Sequence, residues 1–270
     1  MQWSSEELAL KSLQDWWIDA GVAPDHPVSL KANPAAQPST RAPLPTEKAA
    51  PTAPKAPRRL RTDQALEAQK LVAGVTSTAE LKDVISGFKG CDLRQSARST
   101  VVYDGNPQAK IMIICGTPDT DEEKAGLPAA GAPGLLLDKM FASIGLNRET
   151  SLYIASLMPW RVPGDRVPDE LEWSICKPFL MRQIELVAPK IIITIGKVAS
   201  QTLLSKRDNI AKLRGETFSY THEGLGTNIP LIPLLAPSYL LNRSAEKAKT
   251  WADLQIIEKL AQDLGLTQKP

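Results

Sequence analysis

The segment Lys190-Ile-Ile-Ile-Thr-Ile-Gly196, read together with Lys110-Ile-Met-Ile-Ile114, decides the fold class. Both are short apolar runs rich in isoleucine and bounded by polar residues or glycine, which is typical of strands buried on both faces of a sheet. Similar runs lie at 152–157 and 231–235, and helical patterns separate the four runs. This alternation is typical of parallel sheets. The sequence therefore predicts a three-layer α/β sandwich, with a central, mostly parallel four-stranded sheet and helices on both faces.

The predicted helices lie before, between and after these strands. Capping residues and apolar spacing favour helices over 62–74, 78–88, 134–144, 170–187, 196–204 and 246–264. Proline lacks the N–H that a helix interior needs, so a break is expected near Pro178. Sites in open parallel sheets form outside the carboxyl ends of the strands. The loops after Ile114, Leu157, Ile195 and Leu235 are therefore the places to look for function.

The composition limits the class of protein. The chain has 270 residues, of which 43% are hydrophobic, enough for one ordinary domain with extensions. Its 32 Lys and Arg residues nearly balance 30 Asp and Glu residues, so any nucleic-acid surface must be local. No run approaches the ~18 apolar residues of a membrane span, and the charged start does not resemble a signal peptide. We expect a cytoplasmic protein without a membrane partner.

The chain divides into four predicted parts. Residues 1–23 form an amphipathic helix with Trp16 and Trp17 in its apolar stripe, and residues 24–60 form a Pro/Ala-rich disordered linker. Residues 61–87 are a helical lead-in, and residues 88–264 are the α/β domain. The N-terminal helix either docks a protein partner through its tryptophans or packs back on its own domain, and the sequence leaves both alternatives open.

An ordered series of segments resembles family-four uracil-DNA glycosylases, most closely bacterial members with an N-terminal helix and a Pro/Ala linker. The series covers roughly two thirds of the chain. It consists of Asp104-Gly-Asn-Pro107, Cys115-Gly-Thr-Pro-Asp119, Gly126-Leu-Pro128, Pro159-Trp-Arg161, Cys176-Lys-Pro-Phe179, Leu213-Arg-Gly215 and Pro237-Ser-Tyr-Leu-Leu241. The resemblance implies the same fold, DNA as the partner, and cleavage of the N-glycosidic bond of a flipped-out nucleotide.

The resemblance also implies four chemical groups, and this sequence departs from it at each of them. Gly116 stands at the position of a carboxylate that acts near the anomeric carbon, and Ala236 at that of a histidine that stabilises the leaving base. Ser156 stands at the position of an asparagine that reads uracil, and Ala129 at that of an aromatic ring that stacks on it. No residue is therefore assigned a catalytic role. Thr117, Pro118, Ala129 and Ser156 are expected to line the base pocket.

Asp119 is the candidate substitute for the missing carboxylate, and the alternative is that it caps a helix or turn. Many family-four members hold an iron–sulfur cluster on four cysteines. Only Cys91 and Cys176 match those ligand positions, because Arg94 and Trp160 occupy the other two. Because two of the four ligand positions that the resemblance implies lack a cysteine, we expect this chain to carry no cluster and no metal site.

The expected DNA-binding surface combines basic, aromatic and apolar side chains. An apolar wedge followed by an arginine suits insertion at a base step beside a phosphate, although both leucines of the wedge could instead face the core. A lysine at a strand-to-helix junction suits a phosphate as well. The residues are Lys197, Arg214, Tyr239, Leu240, Leu241 and Arg243.

Together these features predict a DNA-binding, uracil-DNA-glycosylase-like protein that is linked to DNA repair and has little or no glycosylase activity. One alternative is an active glycosylase for uracil or another damaged base, using Asp119 or Glu122 as its carboxylate. A second alternative is a protein-binding scaffold without a role on nucleic acid.

Overall fold

The structure, a computed structural model, describes residues 58–222 and 224–266. The predicted N-terminal helix 1–23, with Trp16 and Trp17, lies outside the described residues, and so does the predicted linker up to residue 57. The last three residues of that linker, 58–60, already belong to the first described helix. No helix in the described ranges is both long and apolar enough to span a membrane.

The helices and strands alternate along the chain. The helices are α1 (Arg58–Ala73), α2 (Thr78–Gly87), α3 (Asp92–Ser96), α4 (Thr120–Ala125), α5 (Gly131–Ala142), α6 (Glu170–Val187), α7 (Gly196–Leu204), α8 (Ile210–Leu213), α9 (Pro237–Leu241) and α10 (Lys247–Asp263). The strands are β1 (Tyr103–Gly105), β2 (Ile111–Cys115), β3 (Leu152–Ser156), β4 (Ile191–Ile195), β5 (Phe218–His222) and β6 (Thr227–Leu234).

These strands form one sheet in the order β1-β3-β2-β4-β6-β5. The four predicted strands, β3, β2, β4 and β6, are parallel neighbours at its centre, as expected from their buried apolar runs. The sheet has six strands rather than the predicted four, because β1 and β5 add antiparallel edges. These edge strands are short or half-exposed, so their sequences carry no run of buried residues.

The core lies on both faces of the sheet, which confirms the three-layer arrangement. Side chains alternate along a strand, so Met112 and Ile114 of β2 belong to one apolar cluster and Ile111 and Ile113 to the other. The first cluster also contains buried residues of α1, α2 and α6, and the second contains buried residues of α5 and α10. The helical lead-in therefore shares a core with the α/β domain.

Helix α6 corrects one prediction. It begins at a capping box, in which the Asp169 carboxylate accepts the N–H groups of Leu171 (3.0 Å) and Glu172 (2.8 Å). It then continues through Pro178 to Val187 without the predicted break. The buried side chains of Ile175, Cys176 and Phe179 on either side of the proline hold the helix against the sheet. Tertiary packing therefore outweighs the local preference of proline.

Candidate functional site

The loops at the carboxyl edge of the parallel strands bring the predicted pocket residues together in pairs. Cys115 of β2 is in register with Ser156 of β3, and the N–H of Leu157 donates to the carbonyl oxygens of Cys115 (3.1 Å) and Gly116 (3.2 Å). Gly116 and Ser156 therefore lie side by side. At the neighbouring strands β4 and β6, a Cβ added to Gly196 would lie 3.3 Å from the Cβ of Ala236.

Gly116 has open space beside it, and the neighbouring Ser156 lacks a polar partner among the described residues. A Cβ built on Gly116 would meet no atom within 4 Å beyond its two chain neighbours, so the backbone here leaves room for a side chain. The Ser156 hydroxyl is buried and has no hydrogen-bond partner among the described residues. A buried hydroxyl without a partner is costly, because it has given up water and gained nothing in return. The site therefore offers an unused hydrogen-bonding group next to unfilled space.

The loop from Asp119 to Ala129 is held by two carboxylates that act on its own backbone. Asp119 caps α4, since its carboxylate accepts the N–H groups of Asp121 (2.9 Å) and Glu122 (2.9 Å). Glu122 is 8% exposed, and its two oxygens accept the N–H groups of Asp119 (2.9 Å) and Ala129 (2.6 Å). Burial raises the pKa of Glu122 to about 6, although these N–H groups favour its charged form. Both candidate carboxylates are thus engaged in shaping the loop.

Arg148, which no sequence motif indicates, holds the end of the same loop. Its guanidinium donates to the Ala129 carbonyl (3.1 Å) and to the carboxylates of Asp138 (2.9 Å) and Asp104 (2.5 Å). These anchors keep Ala129 buried at a positive φ of 50°. The partners of Arg148 are distant in sequence, so no local motif could have indicated its role.

Pro118 and Ala129 are buried and Thr117 is half-buried, so the predicted lining of the pocket lies within or beside the fold's interior. Cys115 is buried at the end of β2, and burial raises the pKa of its thiol well above the ordinary value, which leaves it a neutral core residue.

Comparison with known proteins decides the family of this site. The model of the uracil DNA glycosylase superfamily matches residues 102–255, which contain every strand of the described sheet. The chain belongs to the uracil-DNA glycosylase superfamily. Type-4 uracil-DNA glycosylase from Archaeoglobus fulgidus is 32% identical over 180 residues, 65% of this chain and 89% of that protein.

Two further relatives carry the same name. Type-4 uracil-DNA glycosylase from Thermotoga maritima is 34% identical over 173 residues, 62% of this chain and 87% of the relative. The enzyme of that name from Sulfurisphaera tokodaii is 34% identical over 152 residues, 54% of this chain and 69% of the relative. The similarity therefore extends over the greater part of each of these glycosylases.

The structure describes the four positions at which the resemblance implies cluster ligands. Cys91 and Cys176 are buried and in contact, and a hydrogen bond from Cys176 lowers the pKa of Cys91. Trp160 is fully buried, its indole N–H donates to the Thr100 hydroxyl (3.1 Å), and its ring packs edge-on against Phe179. At the remaining position Arg94 offers no thiolate. Within the described ranges, no three His, Cys, Asp or Glu residues are grouped to hold a metal ion.

The predicted DNA-binding residues separate into surface and structural groups. Lys197 and Arg243 are exposed, and so are Tyr239 (41%) and Leu241 (48%), with the Arg243 guanidinium 5.7 Å from the Tyr239 ring centre. Leu240 is fully buried in the cluster that contains α5, which corrects the wedge prediction at this residue. Tyr239, Leu240 and Leu241 lie in one turn of α9 and therefore point in different directions. Tyr239 and Leu241 face solvent, and Leu240 faces the core.

Arg214 belongs to the structural group, because hydrogen bonds within the domain hold its guanidinium. Its guanidinium donates to both carboxylate oxygens of Asp253 (2.8 and 2.7 Å), and it also donates to the Lys249 carbonyl (2.5 Å). Asp253 is fully buried, and burial raises its pKa although Arg214 opposes this shift. The guanidinium therefore compensates a buried charge and anchors α10 beside α8, instead of extending into solvent.

Proposed function

We propose that this chain is a DNA-binding member of the uracil-DNA glycosylase superfamily that acts in DNA repair with little or no glycosylase activity. The observation that carries this proposal is the open space beside Gly116, which no described side chain fills. Gly116 occupies the position at which the resemblance to family-four enzymes implies a carboxylate.

The chemistry explains why this gap matters. Cleavage of an N-glycosidic bond passes through a cationic sugar and a negatively charged leaving base. A carboxylate stabilises the first or positions water, and a hydrogen-bond donor stabilises the second. Gly116 and Ala236 supply neither group through a side chain. Single losses of such groups typically cost ~10²–10⁴ in rate, so the loss of both brings the rate close to the uncatalysed background.

The nearby carboxylates are poor substitutes. Asp119 is engaged as a helix cap, and both oxygens of Glu122 accept backbone N–H groups of the loop. Moving either carboxylate into the pocket would leave backbone donors without partners, at a cost of about 1–3 kcal/mol for each buried group. The geometry therefore favours a loop-shaping role for both residues over the role of a replacement catalyst.

The proposed DNA-binding surface consists of Lys197, Tyr239, Leu241 and Arg243. The exposed tyrosine and leucine suit contact with bases or sugars, and the neighbouring Arg243 suits a phosphate. Lys197 lies in the first turn of α7, where backbone N–H groups also favour an anion. The proposal further includes the absence of an iron–sulfur cluster, which is supported by Arg94 and Trp160 at two of its four ligand positions.

The decisive experiment measures base release from uracil-containing duplex and single-stranded DNA by the wild-type chain, by Gly116→Glu and by Gly116→Glu/Ala236→His. We expect no release above background from the wild type. A measurable gain is expected from the double variant, because Gly116 has room for a side chain and Ala236 faces a glycine. Gly116→Gln/Ala236→His is the matched control, since it has the same size and no carboxylate.

Base release by the wild type would contradict the proposal. Asp119→Asn and Glu122→Gln would then test the alternative of an active glycosylase, because one of them should abolish that release. Absence of DNA affinity at low salt would favour the scaffold alternative, since phosphate contacts strengthen as salt is lowered.

A further inference from the structure

A second concave surface lies away from the pocket, and none of the pocket residues described above lines it. It is a groove of about 960 Å³, bounded by α1, α6, the end of α7 and the edge strand β5. Its apolar lining includes Val72, Trp173, Met181 and Tyr220. Trp173 and Tyr220 are only partly buried, so the groove presents aromatic surface to an incoming side chain.

The rim of this groove is basic. Lys177 and Lys206 line it, both are exposed, and neither forms a salt bridge with a described residue. The Lys206 ammonium lies 4.5 Å from the centre of the Phe218 ring, so its charge sits at the apolar surface. The remaining charges at the groove, Arg182 and Glu185, pair with each other at 2.6 Å. The groove therefore favours an occupant that is apolar and acidic.

The amino-terminal part of the same chain has this character. Residues 4–20, Ser4-Ser-Glu-Glu-Leu-Ala-Leu-Lys-Ser-Leu-Gln-Asp-Trp-Trp-Ile-Asp-Ala20, contain four acidic residues and one lysine. Their apolar residues include Leu10, Leu13 and Trp17, whose spacing matches one face of a helix. The segment is thus complementary to the groove in both charge and hydrophobicity.

The chain connection places this segment close to the groove. Helix α1 begins at Arg58, and its residue Ala65 already lines the groove, about 10 Å further along the helix at 1.5 Å per residue. Residues 21–57 connect the segment to α1, and a chain of 37 residues reaches at most about 120–130 Å, so the segment can reach the groove from the start of α1. Because the segment and the groove belong to one chain, the effective concentration of the segment at the groove is raised, which favours binding within one chain over binding between chains.

We propose that residues 4–20 bind in the groove between α1, α6 and β5 of their own chain. Trp17 then packs against Trp173, Met181 and Tyr220, and Glu6 and Glu7, at the start of the same helix face and beside it, approach Lys177 and Lys206. The covered surface would be independent of the glycosylase pocket, so this proposal stands or falls separately from the proposed function.

The test uses the full chain with Trp17 replaced by the photo-reactive amino acid p-benzoyl-phenylalanine. Irradiation followed by peptide mass spectrometry is expected to join position 17 to residues of α6 or β5 in the same molecule. A mixture of isotope-labelled and unlabelled protein distinguishes links within one chain from links between two copies. The same probe at Ala49 is the control, because that position lies in the connecting segment and has no Leu, Ile, Val, Met or aromatic residue within four positions.

Charge reversal sharpens this test. Lys177→Glu/Lys206→Glu should lower the yield of the link about three- to tenfold at low salt, since attraction between opposite charges becomes repulsion between like charges. Combining it with Glu6→Lys/Glu7→Lys should restore the yield. The proposal would be overturned by links between copies or by links to sites outside the groove. It would also be overturned if neither charge reversal changed the yield of the link.

Discussion

Glu122, in the loop beside the predicted pocket, is a carboxyl group whose chemistry the fold alters. Its side chain is buried, and its two oxygens bridge the N–H groups of Asp119 and Ala129. Burial raises its pKa from the ordinary value of 4.5 to about 6. Between these two pH values the folded protein keeps a proton that the unfolded chain has released. Stability must therefore fall as the pH rises through this window.

Glu122→Gln should remove this dependence. The free energy of unfolding of the wild type is expected to fall relative to the variant by about 2 kcal/mol between pH 4.5 and pH 7, because a shift of one pKa unit corresponds to about 1.4 kcal/mol. Urea denaturation at pH 4.5, 5.5 and 7 measures the difference. The exposed Glu149→Gln is the control. The raised pKa of Glu122 would be contradicted if the difference in unfolding free energy between the wild type and Glu122→Gln did not change with pH. It would also be contradicted if the wild type became more stable relative to the variant as the pH rose.

Single residues also show where sequence reasoning ends. The positions of Gly116, Ser156 and Ala236 at strand ends followed from the strand pattern, and the structure places them there. The choice between surface and core for Leu240 did not, because one turn of helix can face either way. The pairing of Arg214 with Asp253 joins residues 39 positions apart, and no local pattern reports such a contact.

Among the elements, α5 and the loop before it depend on one glycine. A Cβ added to Gly134 would overlap the carbonyl oxygen of Ala129, so helix and loop approach at a distance that only glycine permits. This approach sets the position of Ala129 at the pocket.

Gly134→Ala should therefore lower the free energy of unfolding by about 1–3 kcal/mol, the usual cost of forcing extra atoms into a packed site. Gly87→Ala is the matched control, because Gly87 also lies in a helix and an added Cβ there meets no atom within 4 Å. That control should be neutral or stabilising by up to about 1 kcal/mol. Thermal unfolding of both variants measures the contrast, and equal effects would disprove the close approach.

The elements themselves were predictable to the extent that burial shaped their sequences. The four central strands are continuous apolar runs and were identified, whereas β1 has three half-buried residues and β5 alternates, so neither gives a comparable signal. Helix α6 was predicted with the ends that the structure shows, and its first residue follows a capping box of Asp169 and Glu172. Its continuity through Pro178 was missed, since packing by distant residues decides it.

For the whole molecule, the structure separates cations that serve the fold from cations that face solvent. Lys197→Ala and Arg243→Ala should each weaken DNA binding and lower the slope of log affinity against log salt by about 0.9, without changing stability, if each contacts one phosphate.

Arg214→Ala should instead lower the free energy of unfolding by about 3–5 kcal/mol, because it leaves Asp253 charged and buried without its partner. Fluorescence anisotropy at several salt concentrations, together with urea denaturation, measures both effects. If Arg214→Ala were as stable as the wild type and lowered the slope of log affinity against log salt, Arg214 would belong to the DNA-binding surface.

The open space beside Gly116 affects how this domain can evolve. Glu122 and Arg148 tether the neighbouring loop from elsewhere, so its course does not depend on what residue 116 carries. A new side chain can therefore arise there without a compensating change in the interior, and a single substitution can be tried by selection at little risk to folding. The domain therefore keeps room for a new side chain at the carboxyl edge of its central strands.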